Sequence, residues 1–301
     1  MPFFGVSLYI VTMRIIKAQQ RLIWIGLLIT LWLLCSGAAA YVPSDSPLSD
    51  RLQQFPVWTS KPPVKPAVGD LPYPDGFLGR WRVTTTLIDL AAPLAPDIIT
   101  PGFEGNRPYL NQPTIFQARF VRSPISQATL VTLPVTPLHI VPLTRRPTPV
   151  VADRAFNSLN LMRAYLDQSS EESGSLVQQV KVDPEAPNRQ VTLMKGDRQL
   201  VTTITGRVTE TPSRDTFITS EVFQQMFLGV PQPYLNEVES TTAYTCAESC
   251  VVSEQDAALT HITADQVTAI YLSPQDPEFF AAGSQPVALY RYAMQFERLP
   301  E

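Results

Sequence analysis

Histidine is nearly absent. The 301 residues hold only His139 and His261, which excludes a three-histidine zinc centre. Cysteine is scarce too, at three, with no C-x-x-C redox pair and no cysteine–histidine metal spacing. Glycine is low at 13. The glycine-rich phosphate turn and the alternating strand–helix series of a dinucleotide-binding fold are both missing. No serine sits in G-x-S-x-G, so the usual nucleophile elbow is missing as well. Charged residues are only 17% of the chain and the formal net charge is −4. That balance argues against a highly charged disordered polymer and against a protein that wraps nucleic acid.

What is present is an apolar share of 45%, enough for a core, and 29 prolines. The first forty residues stand apart. Arg14, Lys17 and Arg21 precede LIWIGLLITLWLLC, and SGAAA ends at Ala40. This is the pattern of a signal peptide, or of a retained N-terminal anchor. Cleavage after Ala40 removes three positive charges and no negative one, leaving 261 residues with formal charge −7. Cys246 and Cys250, in CAESC, would then be the remaining cysteines. An exported setting favours a disulfide between them, across a tight bend; the alternative is two ordinary small side chains at a strand end. Residues 1–40 are thus expected to be a signal peptide or N-terminal anchor, 41–75 a proline-rich leader, and 76–301 a single β-rich domain. Leu52, Phe55 and Trp58 are the expected anchors of the leader, with at most a helical turn before Pro56.

Past the leader, period-2 patterns dominate. Trp81, Val83, Thr85 and Leu87 share one face of an expected strand. PTIFQARFV, TLVTLPV, LHIVPL, SLVQQVKVD, RQVTLMKG, RQLVTTITGRVTE and NEVESTTAYT also read as strands. In RQLVTTITGRVTE, Leu200, Thr202, Ile204 and Val208 share one parity, and Gly196–Asp197 forms the preceding turn. FITSEVFQQMF reads as a strand or as a short helix over 221–227, and Ala264–Asp265 as a helical turn. In the last strand Ala288, Tyr290, Tyr292, Met294 and Phe296 share the more apolar face. One middle helix is expected, capped by Asp153 and carrying Phe156, Leu159, Met162 and Leu166 at helical spacing. The fold class is mainly β: an antiparallel barrel or curled sheet with one or two short helices, with a two-sheet sandwich as the alternative.

Chemistry-bearing groups are few. His261 with Asp265, or Glu237 with Glu239 on one strand face, would offer an acid–base pair. Arg145 and Arg146 form a small cationic loop able to meet a polar or acidic group.

YPDGFLGRW resembles the opening strand of lipocalin and related calycin barrels through Gly79-x-Trp81. That resemblance implies a tryptophan closing the barrel base with a late arginine, Arg291 or Arg298, packed near it. The leader, the insertion around 90–110 and the middle helix depart from a compact lipocalin. YPDGFLGRWRV, VADRAFNSLNLMRAYL, DPEAPNRQVTL, ITGRVTETP, SEVFQQMFLG and NEVESTTAYT together resemble an uncharacterised family of cyanobacterial and plastid exported proteins. This resemblance implies a photosynthetic setting, a thylakoid lumen or periplasm, and offers no reaction to transfer.

The expected function is therefore noncatalytic binding or assembly in an exported compartment. The expected partner is a hydrophobic small molecule or a photosynthetic membrane-associated protein, with no cofactor, metal or nucleic acid. Trp81, Arg145, Arg146, Tyr290, Tyr292 and Phe296 are the candidate ligand-binding residues. The alternative is a barrel-fold hydrolase or isomerase.

Overall fold

Alternating runs of β-branched and aromatic residues pair here into one curled antiparallel sheet, a half-barrel. The computed structural model describes residues 48–123, 148–167, 174–231, 233–250 and 259–300. Its strands are β1 (Lys65–Pro66), β2 (Pro72–Tyr73), β3 (Gly79–Ala91), β4 (Pro113–Arg122), β5 (Val150–Ala152), β6 (Val177–Val182), β7 (Arg189–Met194), β8 (Gln199–Glu210), β9 (Thr216–Leu228), β10 (Tyr234–Cys246), β11 (His261–Leu272) and β12 (Ala288–Arg298). The sheet order is β2-β5-β4-β3-β12-β11-β10-β9-β8-β7-β6, with β1 added on β8. Among the described residues four α-helices accompany it: α1 (Leu48–Arg51), α2 (Pro101–Asn106), α3 (Arg154–Leu166) and α4 (Phe279–Ala282).

The two ends of the sheet, β2–β5 and β6, do not pair with each other. Helix α3 packs against β4 and β6 instead. The Asn157 amide exchanges two hydrogen bonds with the peptide of Arg119, at 2.7 and 3.1 Å, and so satisfies backbone on β4. At the other end Arg163 donates to the Val177 carbonyl of β6, at 3.3 Å. Asp153 caps α3 by accepting from the Phe156 N–H at 3.0 Å. It also holds Arg119, whose guanidinium lies 4.4 Å from the Phe156 ring centroid.

The concave face has a solid apolar base. Phe77, Trp81, Val83, Phe120, Phe217, Tyr244, Ile262 and Phe296 are buried there, with Tyr73 packed against them. The rings meet edge to face: Phe77 and Tyr244 at 5.2 Å, Tyr73 and Phe120 at 4.8 Å. Trp81 donates to the Phe77 carbonyl at 2.7 Å. The Arg298 guanidinium stacks 4.5 Å from the Trp81 ring centroid and donates to the carbonyls of Leu78 and Gly76. Arg298, not Arg291, is the late arginine beside the tryptophan; Arg291 is paired with Asp265.

Cys246 and Cys250 are joined in a disulfide at the wall of this base. Closing so short a loop limits the unfolded chain only modestly, so replacing both cysteines by alanine is expected to lower stability by about 2 kcal/mol. Urea unfolding with and without reductant checks this. The wild-type midpoint should drop on reduction and that of the double variant should not.

Buried hydroxyls in the base also set an alkaline limit. The Tyr244 hydroxyl is pushed up to about 12, chiefly by burial, and Tyr73 is raised well above the usual phenol value by burial, then by Tyr244 and Glu221. An unfolded tyrosine ionises near pH 10, so above that the unfolded chain loses protons that the native state keeps. The contribution is full below pH 10 and is lost as pH rises toward 12, about 3 kcal/mol for Tyr244. The urea midpoint should be level from pH 7 to 9.5 and fall above 10, less steeply in Tyr244→Phe. A midpoint level to pH 12 would contradict it.

The convex face is buried in one region by the leader. Leu52 and Trp58 pack on Val267, Ala269, Tyr271 and Leu289, with Phe55 beside them. Strands β11 and β12 are therefore apolar on both faces here, and Leu289 is buried although it lies opposite Tyr290.

One open choice is decided and two local readings change. Residues 221–227 are strand, flanked by β8 and β10 across their length. Ala264–Asp265 is not a helical turn but lies inside β11, paired with β10 and β12. A register shift between Ile204 and Gly206 turns Arg207, not Val208, toward the concave side, opposite Glu221. At the β7–β8 turn Gly196 and Asp197 both have positive φ, as a tight hairpin with a twin left-handed turn requires. TLVTLPV, LHIVPL and the 1–40 segment lie outside the described residues.

Candidate functional site: a cavity under helix α3

Above the aromatic base, the concave side is not filled. A cavity of about 420 Å³ lies between α3 and strands β7 to β9. Leu161 and Met162 of α3 face Leu200, Ile204 and Phe223 across it. On α3 the lining residues Arg154, Ser158, Leu161 and Met162 fall at i, i+4, i+7 and i+8, one helical face; of the stripe read from sequence, only Met162 lines the cavity. Ser158 donates to Gln190 at 3.1 Å at the margin, and Gln225 and Thr202 add polar wall.

One wall carries charge. Arg154, the first residue of α3, donates to Glu221 of β9 at 3.1 Å and to Asp70 at 3.3 Å. Arg207 of β8 approaches the same Glu221 oxygen at 3.2 Å and is tied to Asn188 and the Gly69 carbonyl, at 2.6 and 2.8 Å. All four charged side chains are at least four-fifths buried. Burial opposes the Arg154 charge, but Glu221, Tyr73 and Asp70 outweigh it and its pKa is raised. Arg207 is lowered, by burial first, with Arg154 adding to that and Glu221 offsetting part of it. Two guanidiniums and two carboxylates cancel in formal charge, which is the condition for holding them at a half-dry wall.

A second cavity, about 490 Å³, opens on the same concave face beside α2 and is lined by Phe227, Tyr234, Asn236, Ile270 and Tyr290. Gln225 of the first cavity and Asn236 of the second are ladder partners. The Asn236 Oδ1 is buried without a partner among the described residues, a shortfall worth about 1–3 kcal/mol.

Of the residues singled out from sequence, Tyr290 lines the second cavity. Tyr292 is interior, its hydroxyl raised by burial, with Tyr165 and Tyr290 nearby. Trp81 and Phe296 belong to the filled base. Arg145 and Arg146 lie outside the described residues. His261 and Asp265 are not brought together: they sit four residues apart on one strand, roughly 13 Å, and Asp265 is held by both ends of Arg291, at 3.0 and 2.7 Å. Glu237 and Glu239 face the leader on the convex side, Glu237 paired with Lys61 and Glu239 with Arg51. Sequence reading missed Arg154, Arg207, Glu221 and Asp70. The one available signal was Gly206, a glycine inside a strand pattern, which marks a bulge or a close approach; a Cβ there would collide with the Val64 side chain.

A family described as a domain of unknown function, DUF6816, matches residues 66–300. The chain belongs to the DUF6816 family. Its matched region begins in β1 and takes in the whole half-barrel, α3 and every residue of the charged wall, while α1 and Arg51 precede it. No curated protein and no solved structure matches the chain. Among the described residues no cluster of three or more histidine, cysteine, aspartate or glutamate side chains is placed to hold a metal, and no helix is long and apolar enough to cross a membrane.

Proposed function

We propose that this protein binds an apolar small molecule, without transforming it, in the cavity under α3. The observation that supports the reading most is the cavity itself. It is of ligand size, most of its lining surface is apolar, and it carries charge at one wall only. The carboxylates near it, Glu221 and Asp70, are each engaged by a guanidinium rather than poised as a free acid–base pair.

We further place this binding in an exported compartment of a photosynthetic organism. The Cys246–Cys250 disulfide supports an oxidising setting, and the basic–apolar–small pattern ending at Ala40 supports export.

Titration with 1,6-diphenylhexatriene, which fluoresces in apolar surroundings, tests the binding. Saturable micromolar binding is expected for the wild type. In Leu200→Trp, whose indole would occupy the cavity, affinity should fall at least tenfold. A probe that stays dark, or that binds both proteins alike, overturns the reading.

A further inference from the structure

Glu221 and Arg154 are not used up by their pairing. Both guanidiniums contact the same carboxylate oxygen, Oε1. The other oxygen, Oε2, has no hydrogen-bond partner among the described residues. Arg154 spends Nε on Asp70 and Nη2 on Glu221, and its Nη1 has no partner among the described residues. Both residues line the cavity. Its polar wall thus offers an acceptor, Oε2, and a donor, Nη1, on one ion pair whose Nη2–Oε1 contact is 3.1 Å.

From this we propose that the bound molecule carries a neutral amide-like head, one N–H donor beside one carbonyl acceptor, on an apolar body. The proposal rests on the binding reading above and names its ligand class. An amide N–H donates to Oε2 and the amide carbonyl accepts from Nη1, both charge-assisted. An ionic head is disfavoured, because Arg154, Arg207, Asp70 and Glu221 sum to zero formal charge and supply no net counter-charge for a desolvated ion. An ester or ether satisfies the donor but leaves Oε2 without a partner. The apolar body lies among Leu161, Met162, Leu200 and Phe223.

Calorimetric titration of the full chain with decanamide, methyl decanoate and sodium decanoate tests this, since the three share a chain and differ in the head. Decanamide is expected to bind at least tenfold more tightly than either of the others. In Glu221→Gln the remaining oxygen stays with the guanidiniums and an NH₂ replaces the free acceptor. The preference for decanamide over the methyl ester should then fall at least fivefold, with cooperative unfolding retained. Methyl decanoate or decanoate binding as tightly as decanamide overturns the head assignment and leaves the cavity reading standing. Binding of none of the three overturns both. If Glu221→Gln does not fold, the wild-type ranking alone decides.

Discussion

Arg51→Ala should destabilise the protein by about 3–5 kcal/mol, the range for removing one partner of a buried ion pair. The reason lies in Glu239, whose side chain is wholly buried beneath the leader. Arg51 grips both of its oxygens, at 2.6 and 2.7 Å. Tyr271 donates to one oxygen at 2.9 Å and Thr241 to the other at 2.7 Å. The Thr241 hydroxyl has one proton, which goes to the carboxylate, so Ser220, 2.8 Å away, must donate to Thr241. Trp58 donates to the Arg51 carbonyl and lies under the guanidinium, 3.9 Å from ring centroid to Arg51 Cζ. Removing the arginine leaves a buried carboxylate with hydroxyl partners and no charge, and loosens the segment that covers β11. Urea unfolding measures the loss, and limited proteolysis should cut residues 48–60 faster in the variant. The double variant Arg51→Met with Glu239→Leu should recover most of the stability, because neither charge then remains buried. A single-variant cost below about 1 kcal/mol, the range of exposed pairs, would show that water replaces the arginine.

Trp81→Ala should cost a similar amount, about 3–5 kcal/mol. Trp81 is fully buried at the base, with Phe296 6.5 Å away and Arg298 stacked on it. Truncation leaves a void among side chains held by three strands, and the Phe77 carbonyl loses its donor. Trp81→Phe keeps most of the volume and should cost less than half as much. The base should fail before the cavity does: in Trp81→Phe, diphenylhexatriene affinity should stay within threefold of wild type, because Trp81 does not line that cavity. A larger drop would join the base to the site.

Much of the fold was legible in the sequence. Trp81, Val83, Thr85 and Leu87 alternate in sequence and are all buried on β3, because a half-buried strand imposes period 2 whatever its partners are. The Asp153 cap was legible because an N-cap is a local event. The disulfide was legible from an isolated pair of cysteines set close together in sequence.

The charged wall was not. Asp70, Arg154, Arg207 and Glu221 come from segments up to 151 positions apart, and parity tells which face a residue takes but not what stands opposite. Arg207 was hidden further by the bulge before Gly206, which reverses parity halfway along β8. The burial of Leu289 was hidden for a related reason: the leader covers the face that would otherwise meet water. Residues 221–227 were ambiguous because helix and strand periods fit so short an apolar run equally well; pairing on both sides decided for the strand.

The proposed binding requires that a molecule enter the cavity under α3. Photolabelling tests this most directly, using 3-trifluoromethyl-3-phenyldiazirine, a small apolar carbene source, with the modified residues mapped by mass spectrometry. The prediction is adducts concentrated on Leu161, Met162 and Phe223 in the wild type and lost in Leu200→Trp. Labelling at those three positions no greater than at the exposed Phe280, or labelling unchanged by Leu200→Trp, would contradict it.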